Sequence, residues 1–198
     1  MSKPIVLATG NSGKIAELTP VLQNLGLNPI PQSQWSIPTV AENGMTFVEN
    51  ALLKARHCAQ HTGIPVLADD AGLVVDALQG APGLYSARYA GESASDLDNN
   101  LKLLQQLQLL PTANRSAHFY CVLVYLSHAT NPAPLIAEGR WQGQIAYQPL
   151  GDQGFGYDPL FYLPEQHCSA AQLSREQKNQ LSHRGQALRR LLAALTDA

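Results

Sequence analysis

Apolar residues in this chain gather in short runs near the start and in longer alternating stretches later, with helical stripes between them. Ile5-Val6-Leu7-Ala8 is a short apolar run that reads as a buried strand. Ile15, Leu18, Val21, Leu22 and Leu25 then recur at helical spacing and predict an amphipathic helix. Leu27 to Ile30 predicts a second strand, followed by a loop bearing Pro and Ser through Thr39. Glu42-Asn43-Gly44 has turn chemistry. Thr46 opens a strong helix whose broad apolar face carries Phe47, Ala51, Leu52, Ala55 and Ala59, with Glu49 and Asn50 on a solvated side.

In Ile64–Asp76 the apolar run Pro65 to Ala68 stops at two adjacent carboxylates, Asp69 and Asp70. Ala71-Gly72 reads as a break, and Leu73 to Val75 restarts the apolar pattern as a second strand. Gly80-Ala81-Pro82-Gly83 is a loop. Ser95 caps a helix with Leu97, Leu101, Leu104 and Leu107 on its apolar stripe, ended by Pro111. Ala117 to Leu126 predicts a long strand, and Leu135–Ile145 one or two more. Ser174-Arg175-Glu176-Gln177 is a capping box for a helix carrying Lys178. Ser182-His183-Arg184-Gly185 interrupts it, Ala187 to Leu195 closes the chain as a helix, and Asp197-Ala198 frays. Strands and helices alternate early and the later strands look antiparallel, which predicts an α/β fold: a mixed sheet with helices on its faces.

Composition narrows the function classes. At 198 residues, with 45% apolar and 14% charged residues, the chain suits one generous domain or two closely joined lobes. No run approaches a membrane span, and Met1-Ser2-Lys3-Pro4 leads into a strand rather than a signal peptide, so a cytoplasmic protein without membrane partners is expected. A net charge of −2 supplies no basic field for long nucleic acid, but leaves room for a small polyanion wherever cations cluster. The three cysteines are widely spaced, with no CxxC pattern. Cys58 and Cys121 read as buried small apolar residues. His57 and His61 stand at i, i+4, but no Glu follows His57 and no third ligand is in sight, so this pair is not expected to bind metal.

Three stretches carry chemistry. In the first, strand, glycine loop and helix succeed one another, and Thr9, Gly10, Asn11, Ser12, Gly13 and Lys14 fill the loop and helix start. Such a junction offers backbone N–H groups and the positive end of a helix dipole to a phosphate, and Lys14 adds a full charge. It is not a Walker motif: the required first Gly falls on Ala8, and the required Ser or Thr on Ile15. The second is the Asp69-Asp70 pair. Successive strand side chains point to opposite faces, and carboxylates ending a buried strand need a cationic partner, for which a divalent metal is suited. The alternative is a polar turn. The third is the loop Gly151 to Pro159, where Phe155 and Tyr157 sit among glycines. They are placed either to stack on a planar ligand or to fold back into the core.

Taken in order, LATGNSGK, FVENALLKA, LADDAGL, APGLYSARY, GFGYDP and SHRGQAL resemble the inosine triphosphate pyrophosphatase family, in the pattern of its bacterial dITP/XTP branch. The resemblance covers nearly the whole chain. It implies an elongated α/β fold of two lobes about a central cleft, and a homodimer. It implies hydrolysis of non-canonical purine nucleoside triphosphates to monophosphate and pyrophosphate. Thr9 to Lys14 would cradle the triphosphate, Lys54 would face the phosphates, and Glu42 and Asp70 would hold Mg²⁺. Asp70 would accept a proton, with Asp69 close to the metal. Phe155, Gly156, Tyr157 and Asp158 would hold base and sugar, and Lys178, His183 and Arg184 would complete the base site. The family usually has Ser where Ala71 stands, which leaves only a backbone N–H to serve the ligand there. Two other functions stay open: a pyrophosphatase for modified pyrimidine triphosphates, and a nucleotide-binding regulator without turnover.

Overall fold

The computed structural model describes residues 2–110 and 114–196. The helix stop expected at Pro111 and the fraying expected at Asp197-Ala198 lie outside the described residues. The elements in order are β1 (Lys3–Ala8), α1 (Ser12–Asn24), β2 (Leu27–Pro31), α2 (Phe47–Thr62), β3 (Val66–Val75), α3 (Asp96–Gln108), β4 (Ser116–Leu126), β5 (Leu135–Ile145), β6 (Phe161–Leu163), β7 (Cys168–Ser169), α4 (Arg175–Leu181) and α5 (His183–Thr196). The strands form a seven-stranded sheet ordered β2-β1-β3-β4-β5-β6-β7. β1 pairs in parallel with β2 and β3, whereas β5–β6 and β6–β7 are antiparallel. The mixed α/β sheet with helices on its faces is thus what the hydrophobic pattern predicts.

The chain divides into two compact units. The first comprises Met1–Asp70, Cys121–Gly139 and Gln186–Ala198, and the second Ala71–Tyr120 and Arg140–Gly185. The first unit buries Ile5, Val6 and Leu7 of β1, Leu18 and Leu22 of α1, and Ala51, Ala55 and Ala59 of α2. Small residues on α2 let it lie close on β1. The core of the second unit gathers Leu73, Val75, Leu103, Leu107, Phe119, Trp141, Tyr157 and Phe161.

Several local expectations are corrected. Ala71-Gly72 does not break the chain: Val66–Val75 is one strand of ten residues. Its first residues pair with β1, Val6 against Val66 through Ala8 against Ala68, and β4 is its neighbour on the other side; a place inside the sheet outweighs the weak strand preference of Asp and Gly. Leu135–Ile145, expected as one strand or two, is one. Leu25 lies beyond the end of α1 and is exposed. The break expected at Ser182-His183-Arg184-Gly185 is present but narrows to Ser182: α4 ends at Leu181 and His183 already belongs to the next helix. The Ser182 hydroxyl accepts the Gly185 N–H at 3.2 Å, the arrangement of an N-cap, and α5 runs from His183.

Cys58 and Cys121 are buried as expected, while Cys168 is partly exposed. Burial pushes the Cys58 thiol up to about 11. Because the thiolate is the nucleophile, native protein at pH 8 should show one fast thiol toward a disulfide reagent, Cys168, and all three cysteines after denaturation.

Candidate active site

In the first unit the chemistry gathers at the end of β1 and midway along β3. Asn11 caps α1, its Oδ1 accepting the Lys14 N–H at 3.1 Å, while its own N–H donates to Thr9 Oγ1 at 3.1 Å. The loop is therefore held by its own side chains, and the Lys14 side chain extends to an ion pair with Asp69. Asp69 is only 1% exposed, and its Oδ2 also accepts the Cys121 thiol at 3.1 Å. Cys121 on β4 is thus a polar partner of the site, which its apolar neighbours in the sequence concealed.

Asp70 belongs to a separate pairing. Lys54 Nζ lies 2.6 Å from Asp70 Oδ1 and 3.2 Å from Glu42 Oε2. Burial pushes the Asp70 carboxyl above its ordinary range, more than the nearby Lys54 and Lys14 pull it down. Burial works against the Lys54 charge, but Asp70 and Glu42 outweigh it, so its pKa is raised and it stays cationic. Adjacent carboxylates thus have different first partners, Lys14 for Asp69 and Lys54 for Asp70.

Glu42 lies in a segment tied to the first turn of α2. The Gly44 N–H donates to Asn50 Oδ1 at 2.8 Å, and Glu49 Oε2 accepts the Met45 and Thr46 N–H groups, each at 2.8 Å. Glu49 and Asn50 therefore both hold this segment; Glu49 is exposed as a solvated face requires, whereas Asn50 is buried. A Cβ at Gly44 would meet Glu49 Cβ at 2.6 Å, so glycine is required for this approach.

Two carboxylates converging on one cationic point suit a hard cation that keeps several waters and binds substrate oxygens. Among the described residues no cluster of three or more His, Cys, Asp or Glu forms a metal cage. The donors Glu42 and Asp70 fit a shared site of this kind, not a closed one. Away from this cluster, His57 Nε2 is 2.7 Å from the Pro38 carbonyl, and His61 Nδ1 is 2.9 Å from the His57 carbonyl.

In the second unit, the loop after β5 brings the other expected residues together. Asp158 Oδ2 accepts the Phe155 N–H at 2.9 Å and the Lys178 ammonium at 2.5 Å. Lys178 also lies 4.6 Å from the centre of the Phe155 ring, and the Arg184 guanidinium 6.0 Å from it. The two loop aromatics part company. Tyr157 folds back into the core and its hydroxyl donates to the Ser86 carbonyl at 2.9 Å, which removes it from stacking on a ligand. Phe155 stays half-buried. The His183 ring is stacked on Phe119, centres 4.8 Å apart, with Trp141 beyond. Lys178, His183 and Arg184 are all buried, and Ala71 is partly buried on β3. Asp96, Asn100 and Ser86, which the sequence did not single out, hold this loop. A groove of about 530 Å³ in the same unit, lined by Arg115, Tyr147 and Tyr162 among others, contains none of these residues.

This is an α/β protein that sets two lysines against three carboxylates in one unit and two buried cations against an aromatic ring in the other. The Ham1 family model matches residues 5–194, and the chain belongs to that family. It is 57% identical over 194 residues to a dITP/XTP pyrophosphatase of Yersinia pseudotuberculosis, covering 98% of both chains. A dITP/XTP pyrophosphatase of Vibrio cholerae is 53% identical over 195 residues, again 98% of both. Among solved structures, a HAM1 protein from Coxiella burnetii superposes with a TM-score of 0.91 at 49% identity, over 99% of this chain and 100% of that one. The Staphylococcus aureus Ham1 protein gives 0.87 at 42% identity, over 98% and 99%. Among the described residues no helix is long and apolar enough to cross a membrane.

Proposed function

We propose that this chain hydrolyses non-canonical purine nucleoside triphosphates, ITP, dITP and XTP, to the monophosphate and pyrophosphate. The observation that carries this is the 57% identity to a dITP/XTP pyrophosphatase along 98% of both chains. The lysine–carboxylate cluster supplies chemistry to match. Residues 1–198 act as one functional domain of two lobes, in a cytoplasmic homodimer.

Phosphate ester oxygens carry several negative charges, and displacement at phosphorus demands their neutralisation and an oriented water. The Thr9 to Gly13 loop presents backbone N–H groups, and Lys14 and Lys54 supply charge. A divalent cofactor belongs with this activity; Glu42 and Asp70 would hold Mg²⁺, which would supply charge neutralisation and a more acidic water. Asp70 takes the proton of the attacking water. Asp69 holds Lys14 in line with the phosphates. The water oxygen bonds to the α-phosphorus and stays on the monophosphate, while the bond from that phosphorus to the bridging oxygen breaks and pyrophosphate leaves with that oxygen.

Phe155 offers a ring face to the purine, while Lys178 and Arg184 place cations around it. The six-oxo group of hypoxanthine and xanthine accepts a hydrogen bond, whereas the six-amino group of adenine meets a donor with a donor. A site built around hydrogen bonds rejects such an analogue more strongly than an apolar pocket does. Ala71 contributes its backbone N–H alone. The base-site reading is tested with two variants on a panel of ITP, XTP, GTP and ATP. Phe155→Ala should raise KM for all purines alike, by about 5- to 150-fold if stacking contributes roughly 1–3 kcal/mol. Arg184→Ala should narrow the gap between ITP and ATP. Equal rates on ATP and ITP in the wild-type protein would contradict this base site.

A further inference from the structure

Helix α3 turns its polar side inward. Its sequence offers an apolar stripe of Leu97 and Leu101 with Leu104 and Leu107, yet Leu97 is 64% and Leu101 49% exposed. Asn99 and Asn100 are buried in their place, beside Leu103 and Leu107. Burying amides and exposing leucines runs against the hydrophobic gradient unless the amides are engaged. They are. Asn99 Oδ1 accepts the Ala90 N–H at 2.8 Å, and its Nδ2 donates to the Ala87 carbonyl at 3.2 Å. Asn100 Nδ2 donates to the Gly156 carbonyl at 2.9 Å. One turn earlier, Asp96 Oδ2 accepts the Gly156 N–H at 2.6 Å. Asp96 and Asn100 are at i, i+4 and so lie on one face of the helix, where they grip both polar groups of a single residue.

We propose that Asp96 and Asn100 are positioning residues for base recognition, acting through Gly156 on the Phe155 ring; this rests on the base-site reading above. Gly156 lies between the half-buried Phe155 and the core residue Tyr157, and its φ of 62° is a conformation with no side-chain preference to hold it. Phe155 N–H is fixed from the other side by Asp158. With both ends of Gly156 tied to α3, the direction of the Phe155 ring relative to Lys178 and Arg184 is set by the helix. The clamp orders the loop before a base arrives, so its loss appears as weaker binding and poorer base choice while the phosphate chemistry, whose groups lie in the first unit, is untouched.

The test is steady-state kinetics of the full-length protein on ITP and ATP, with melting temperature as a control. Asp96→Ala removes a charge-assisted acceptor and should raise KM for ITP roughly tenfold, leave kcat within about twofold and lower the ITP-to-ATP ratio of kcat/KM. Asp96→Asn, which keeps an acceptor oxygen, should restore most of the loss. Asn100→Leu, close in volume and without the donor, should move KM and the ratio in the same direction by a smaller factor, and keeps the test decisive should Asp96→Ala not fold. Unchanged KM and selectivity in the folded variants, or a fall in kcat alone, would overturn the clamp. A wild-type protein that does not prefer ITP over ATP would instead overturn the base-site reading beneath it.

Discussion

Replacing Asp70 by Asn is expected to lower kcat by about 10²–10⁴-fold, the usual range for loss of a positioned proton acceptor. Asp70 faces Lys54 at 2.6 Å and sits in a buried position that raises its pKa, the setting of a carboxylate kept for proton transfer. The amide neither accepts the proton of water nor binds a hard cation as well. The fold should survive, because a neutral amide is less costly to bury than a carboxylate and Lys54 keeps Glu42. Nucleotide binding should persist in part through Lys14 and the loop before α1. Turnover near wild type in a folded Asp70→Asn protein would remove Asp70 from the mechanism.

Lys14→Ala should damage both activity and stability. Its ammonium is paired with Asp69, whose carboxylate is 1% exposed. Removing one partner of a buried ion pair typically costs about 3–5 kcal/mol, since the remaining charge stays desolvated. The Cys121 thiol is a weak donor and replaces little of this. The melting temperature should therefore fall by several degrees, and kcat/KM by roughly 10²-fold or more through the lost phosphate contact. Adding Asp69→Asn to Lys14→Ala should recover much of the melting temperature and none of the activity. If the double variant regains neither, the pair is not a simple buried ion pair. If Lys14→Ala alone leaves kinetics unchanged, the first glycine loop is only a structural turn.

Much of the site was legible because its local patterns coincide with its chemistry. The strand, glycine loop and helix around Lys14 stand where the spacing puts them, and Thr46 and Ser174 cap their helices as predicted. What failed to show was decided by partners remote in sequence. Ala71-Gly72 looked like a break because the place of β3 inside the sheet, between β1 and β4, leaves no local trace. Asn50 looked solvated because its partner, the Gly44 N–H, precedes the helix. The α3 stripe was assigned to Leu97 and Leu101 because hydrophobicity alone sets no reward for gripping Gly156. Tyr157 and Phe155 are two residues apart in one loop, and only the core beneath Tyr157 separates their fates.

The reaction itself is tested most directly by identifying the products formed from ITP with and without Mg²⁺. The account predicts IMP and pyrophosphate in equal amounts, formed only with the metal present, with ATP turned over far more slowly under the same conditions. Release of orthophosphate with IDP, or no product from any purine triphosphate despite binding, would contradict it.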